Sequence, residues 1–401
     1  MPANLLFSPE IFGLLEPAAD LLAGMAAGLR RPAAAGTADV AVYTGDDALS
    51  AARPTWRAME FSGARPTVFQ SLALAEAACE AHRRKGETPL IVVVSRRGRP
   101  VVLFPAAIGR TRGLRGVRFL GDPLIQYGDV LAASEATDDD MLAAWRAIID
   151  PRHGHYVHLR KVRADARIAT FLRGAAHMVA THHAPCRALE AAPPDDARKA
   201  KEVRRFRRRL ADQGDITFRI LRDGHVAEAL HTALAYKRDW LSDRGLASAV
   251  IGDPDWEASM HKLAASPRGA VRLAAAQLEI NGRPAAVEIA IEDGRRWCAF
   301  LGTIDPAFAK AGPGHVQMDE TVAWCAAQGY AEYDLLAPAD GYKRAIANDG
   351  VDVRDYAAAT CLRGNAAVSA LRAAPAIKEG LAVLPVGARA VLMRWLRGLT
   401  H

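Results

Sequence analysis

"WCAFLGTIDPAFAKAGPGHVQMDETVAWCAAQGYAEYDLL", residues 297–336, decides the fold. An apolar strand, Trp297 to Gly302, runs into a turn. A helix follows from His315 to Gln328, and Gly329 stops it. A second strand, "YAEYDLL", comes next. The helix opens on Gly312-Pro313-Gly314. Glycines there let a ligand approach the backbone closely, and free N–H groups at a helix start attract anions. Proline fits because the N–H it lacks has no partner in a first turn. Lys310 adds positive charge nearby. Lys310, Gly312, Pro313, Gly314 and His315 are thus candidate contacts for a phosphorylated cofactor, although a plain strand-to-helix turn has the same outline.

Upstream, "VRLAAAQLEINGRPAAVEIAIEDGRRWCAFLG" reads as a hairpin around Asn281-Gly282, the strongest short-range turn signal in the chain. A long helix, Val226 to Asp243, is closed by Gly245, and a strand spans Ile216 to Ile220. Before it lies "DARKAKEVRRFRRRLADQGDITFRI", with eight Lys or Arg between Arg198 and Arg209. Val203, Phe206 and Leu210 form one apolar stripe, so this is a folded helix and not a loose arm. The first half has the same grammar. Helices at 56–61 and 72–84 precede strands at 90–94 and 101–107 across the Arg96–Arg99 turn. "GVRFLG", a helix at 138–149 and a strand at 155–160 follow. The polar, Pro-rich "EAAPPDDAR", residues 190–198, separates the halves. We therefore expect a helical extension over 1–45, a first α/β domain over 46–192, a second over 193–365, and a helical tail over 366–401. The tail either lies on a membrane surface or caps the second domain.

Half of the 401 residues are hydrophobic and 24% are charged, which is globular composition. The net charge of +7 favours anionic partners without choosing among them. Five scattered cysteines at no metal-ligand spacing read as reduced thiols in a cytoplasmic protein. The twelve histidines lack carboxylate or Cys partners at matching spacing, so no metal is expected. The start carries no early Lys or Arg and does not look like a secretory signal. No window is apolar enough to span a bilayer. Nucleic acid is not expected, since aromatic interleaving and RNA-binding signatures are missing.

The hairpin "NGRPAAVEIAI", the Pro-Gly helix start, "YDLL" and "GYKR" together resemble the second domain of the cellulose-biosynthesis-type (CelD/BcsL) acetyltransferases. These are members of the GNAT superfamily, related to the FemABX peptidyltransferases. "TVFQS", "VVLFPAAI", "FLG" and "YGD" resemble their first domain. The resemblance covers residues 50–365 and rests on the order of weak motifs. It implies an α/β (α+β) fold of two tandem GNAT-like domains with mixed, mostly antiparallel sheets flanked by helices. It implies acetyl-CoA, or another acyl-CoA, on the second domain. Where the superfamily's phosphate loop opens on Gln or Arg, this chain has Ala309.

The resemblance implies transfer of an acetyl or longer acyl group to an amine or hydroxyl of a sugar or lipid-linked sugar in exopolysaccharide or cell-envelope synthesis. It places the work in the cytoplasm or at the inner face of the membrane. An aminoacyltransferase of FemABX type is the rival enzyme. A catalytically dead scaffold that binds a polysaccharide synthase is the rival from another class. Acyl transfer needs a base for the acceptor, a stabilised oxyanion and a protonated leaving thiolate. Asp129 in "QYGDV" matches the family's active-site acid, and Tyr127 beside it is a candidate proton donor or orienting group. Lys343 matches the family's Tyr-Lys pair with Tyr342, and Asp334 ends a strand where sites gather. Lys237, Trp240 and Arg244 share one helix face and are candidate substrate contacts. Gln70 in "VFQS" is a candidate for the acceptor cleft.

Overall fold

The computed structural model describes residues 38–111, 113–190, 197–245, 248, 250–265 and 271–383. The expected extension over 1–37 and the tail beyond 383 lie outside the described residues. The first half contains β1 (Asp39–Thr44), α1 (Ala48–Phe61), α2 (Leu72–Arg84), β2 (Thr88–Arg96), β3 (Arg99–Thr111), β4 (Leu114–Phe119), β5 (Leu131–Ala132), α3 (Asp138–Ile148), β6 (Tyr156–Arg163), α4 (Ala169–Ala175) and β7 (His177–Ala188). The second contains α5 (Ala197–Ala211), β8 (Ile216–Arg222), α6 (Val226–Asp243), α7 (Pro254–Ala264), β9 (Arg272–Ile280), β10 (Arg283–Glu292), β11 (Arg296–Ile304), α8 (Pro313–Ala327), β12 (Glu332–Asp334), α9 (Gly341–Ile346), β13 (Asp349–Ala359) and α10 (Leu362–Val383).

The strands form one mixed sheet in the order β1-β2-β3-β4-β6-β13-β7-β12-β11-β10-β9-β8, with β5 added beside β3. Among the described residues only β4·β6 and β11·β12 are parallel; each of these pairs is joined through a helix, α3 or α8. The halves are thus copies of one plan, and they trade their last strands. β7 of the first half pairs with β12 of the second, and β13 of the second pairs with β6 of the first. The sheet runs unbroken across the expected boundary at 193, and the described residues from Asp39 onward form one compact unit.

Apolar faces explain most of the elements. In α1, Leu49, Ala52, Trp56 and Met59 are buried, so the helix begins at Ala48 and not near Trp56 as expected. The α5 stripe was read correctly. Leu210 is fully buried, and Val203 and Phe206 pack with it against Leu278, Ala285, Ala311 and Val316. Asp39–Thr44, placed in a helical extension by the sequence, is an edge strand. Val368 and Leu371 of α10 pack on Val179 and Ala357, so this part of the tail caps the sheet. Among the described residues, no helix is long and apolar enough to cross a membrane.

Candidate active site

Glu288 pairs across β10·β11 with Gly302, but the register then slips. Ile289 faces Leu301 and Ala290 faces Ala299, which leaves Phe300 without a partner. Such a bulge bends a strand pair and re-aims side chains. β11 then ends, and the Asp305 carboxylate accepts the Ala307 N–H at 2.8 Å to start a tight turn. The turn closes on Gly312 at φ 71°, the left-handed region that favours glycine. A Cβ there would stand 2.5 Å from the Phe206 ring. Phe206 in turn stacks on His315, with centroids 4.8 Å apart. The basic helix α5 therefore buttresses the start of α8, and Arg205 and Arg209 lie over the Phe206 ring at 5.4 and 6.0 Å.

A cavity of about 420 Å³ opens between the bulge, α8, α6 and α9. Lys237, Trp240, Gly312, Gly314, His315, Tyr342 and Lys343, all singled out in the sequence, line it. Pro313 is the buried first residue of α8. Lys310 is exposed on the preceding turn, outside the lining. Arg244 is also outside the lining; its guanidinium covers one side of the Trp240 ring at 4.3 Å, and the Lys237 ammonium lies 4.4 Å from the same centroid. Trp240 is half-buried and lines the cavity.

Glu288 was missed. It is 3% exposed, lines the cavity, and accepts from Trp297 Nε1 at 2.8 Å and Tyr333 Oη at 2.6 Å. Burial pushes its carboxyl above the usual carboxylate range, and the donors and Lys343 pull the other way. A signal existed: one carboxylate inside the apolar run "AAVEIAI". A buried acid in a strand needs partners or a task.

Two candidates sit at the seam between halves. Tyr127 Oη donates to Asp334 Oδ1 at 2.7 Å, and the Leu336 N–H donates to the same oxygen at 2.9 Å. Leu336 O and Pro338 O each accept from Lys343 Nζ at 3.1 Å. Tyr127 and Asp334 thus do not reach the cavity; they hold the loop that fixes Lys343. Burial pushes Asp334 up to about 6. Tyr127→Phe should therefore cost about 1–3 kcal/mol at pH 7 and less at pH 5, where a protonated Asp334 needs no donor. Thermal unfolding at the two pH values checks this, and a larger loss at pH 5 would contradict it.

Two candidates are placed elsewhere. Asp129 is buried and accepts three backbone N–H groups, from Val130, Arg167 and Ile168, at 2.8, 2.8 and 3.1 Å. It anchors a loop and is not among the cavity residues. Gln70 is also buried. It donates to Tyr127 O at 2.7 Å, and its own carbonyl accepts from Trp56 Nε1 at 3.0 Å. Its short polar motif closes a turn and lines no part of this cavity.

A strand bulge, a glycine-opened helix and a parallel strand beyond it set the comparison. Residues 197–344 match the acetyltransferase (GNAT) domain family. No curated protein matches the chain. Among solved structures, FemX is similar over 69% of this chain and 89% of its own, at 10% identity and a TM-score of 0.50. The C-terminal domain of a putative lysylphosphatidylglycerol synthetase from Agrobacterium fabrum is similar over 75% and 91%, at 14% identity and TM-score 0.48. A tandem GNAT protein from the clavulanic acid biosynthesis pathway is similar over 80% and 99%, at 11% identity and TM-score 0.44. At such identities the likeness is one of fold. The second half thus carries a GNAT-type domain, and the chain has a mixed α/β fold built from two similar halves.

Proposed function

We propose that this protein is an acyl-CoA-dependent acyltransferase whose active site is the second-half cavity. Glu288 is the observation that carries the reading: a buried carboxylate of raised pKa, in a cavity whose wall is the glycine-opened start of α8. The residues fit the phosphates of a CoA ester. Gly312 and Gly314 leave the backbone bare, since a Cβ would meet the Phe206 ring or, at 3.3 Å, Ile304 Cγ2. Lys310, Arg205 and Arg209 supply positive charge around them. The first half offers no such cradle, because its equivalent helix α3 begins with Asp138, Asp139 and Asp140. Carboxylates there repel a phosphate, and Asp140 already accepts the Thr137 N–H at 2.8 Å.

The thioester supplies an activated acyl group when bound. Glu288 takes the proton from the acceptor amine or hydroxyl, directly or through water. Lys343, pinned by two carbonyls, keeps an N–H available toward the cavity and places positive charge where the oxyanion develops. The Tyr342 hydroxyl lines the cavity and can reprotonate the leaving thiolate. The sugar or lipid-linked sugar acceptor rests on the sequence resemblance of residues 50–365.

Thermal unfolding with and without acetyl-CoA tests the reading. Ligand at 100 times its Kd should add about 2.7 kcal/mol of stability. The gain should vanish in Gly312→Val, which forces a β-branched residue into the left-handed region at about 1–2 kcal/mol and displaces Phe206. A wild-type protein that shows no gain would end the proposal.

A further inference from the structure

We propose that the first half carries a separate anion site for a phosphorylated group, in a cavity lined by none of the active-site residues. That cavity, about 580 Å³, lies between the C-terminal end of α1, the start of β3 and the loops around β5 and α4. Three guanidinium groups line it, from Arg65, Arg99 and Arg167, against one carboxylate, Glu135. The excess of positive charge is built and held. Arg65 has a side chain only 16% exposed; its Nη2 donates to Asp293 at 3.3 Å, and its Nη1 is buried with no hydrogen-bond partner. The Asp293 pair fixes the Arg65 guanidinium beside the cavity wall. Arg167 is fixed twice. Its backbone N–H is held by Asp129 at 2.8 Å, and its Nη2 donates to Ala133 O at 2.7 Å. The three-bond anchoring of Asp129 thus acquires a purpose: it sets the loop that delivers Arg167.

The Arg99 side chain stands exposed at the start of β3 and makes no hydrogen bond or ion pair among the described residues. Arginine's planar forked donors match the oxygens of a phosphate, and three arginines line this one cavity. Two sources of that chemistry exist, a soluble phosphate and a lipid headgroup. Phe61, 97% exposed and one residue before Ser62 of the lining, would sit in the lipid in the second case.

Isothermal titration of the full chain with pyrophosphate reads the site. Pyrophosphate can also enter at α8, so Arg99→Glu, Arg167→Gln and Lys310→Glu are titrated beside the wild type. One binding event should weaken about tenfold or more in Arg99→Glu and in Arg167→Gln, the weight of one charge-assisted hydrogen bond. It should persist in Lys310→Glu. Pyrophosphate affinities and stoichiometry unchanged in both arginine variants overturn the site. Co-sedimentation with phosphatidylglycerol and phosphatidylcholine vesicles separates the sources. Retention on phosphatidylglycerol alone, lost in Arg99→Glu and in Phe61→Ser, identifies a lipid headgroup. Pyrophosphate binding without such retention identifies a soluble phosphate. Binding of neither probe overturns the proposal.

Discussion

Glu288→Gln should lower acyl transfer by about 10²–10⁴-fold, the usual contribution of a general base, and leave acetyl-CoA binding intact. The substitution is isosteric. The amide oxygen can still accept from Trp297 Nε1, and the Tyr333 hydroxyl can turn to accept from the amide nitrogen, so the two bonds at 2.8 and 2.6 Å survive in altered form. What is lost is the ability to take a proton. Burial raises the Glu288 pKa. The wild-type rate should therefore rise with pH through a value above the usual carboxylate range, and that limb should disappear in the variant. Release of free CoA thiol, measured with a panel of amine and hydroxyl acceptors, gives both results. A variant that retains the wild-type rate and pH limb would remove Glu288 from the chemistry. A variant that also loses the acetyl-CoA stabilisation would place it in binding instead.

Local signals carried much of the second half. The apolar spacing of Val226–Asp243 and its closing Gly245 fix a helix to the residue, and Asn281-Gly282 fixes the turn between β9 and β10. Gly312-Pro313-Gly314 announced the start of α8, because positive φ and close packing select glycine. β7 and β13 were not legible. In "HMVATHHAPCRA" only Val179, Ala184, Pro185 and Cys186 are buried, so its polar face conceals the alternation. β13 mixes Asp and Arg with its apolar residues for the same reason. The exchange of these two strands is a long-range pairing, which no window of sequence records. The same blindness hid the partners of Asp129, Tyr127 and Asp334, which come from elsewhere in the chain: the Arg167 loop for Asp129, and the opposite half for the Tyr127–Asp334 pair. Glu288 shows the converse. A charged residue in an apolar strand looks like an interruption until the bulge opposite it opens a cavity.

Glu292→Ala should destabilise the protein by about 3 kcal/mol, at the low end of the range for breaking a buried ion pair. Glu292 lies four residues beyond Glu288 on the same face of β10, and the two carboxylates have opposite surroundings. Glu288 meets neutral donors and a cavity. Glu292 is fully buried and clamped: Arg222 donates to it at 2.6 and 3.1 Å, Arg272 donates at 2.9 Å, and the Tyr330 hydroxyl donates as well. Arg222 also lies over the Trp324 ring at 4.8 Å, so the carboxylate ties β8, β9 and the end of α8 to β10. Its removal strands two guanidinium groups and a phenol. The arginines are 27% and 38% exposed, so water recovers part of the cost and the estimate stays at the low end. Glu292→Gln keeps the shape and should lose less. Urea unfolding of both variants measures the difference. A loss below about 1 kcal/mol in Glu292→Ala, within the range of exposed pairs, would mean that solvent already holds these arginines. The acetyl-CoA stabilisation should persist in both variants, because the clamp secures the strand that carries Glu288 without touching the cavity.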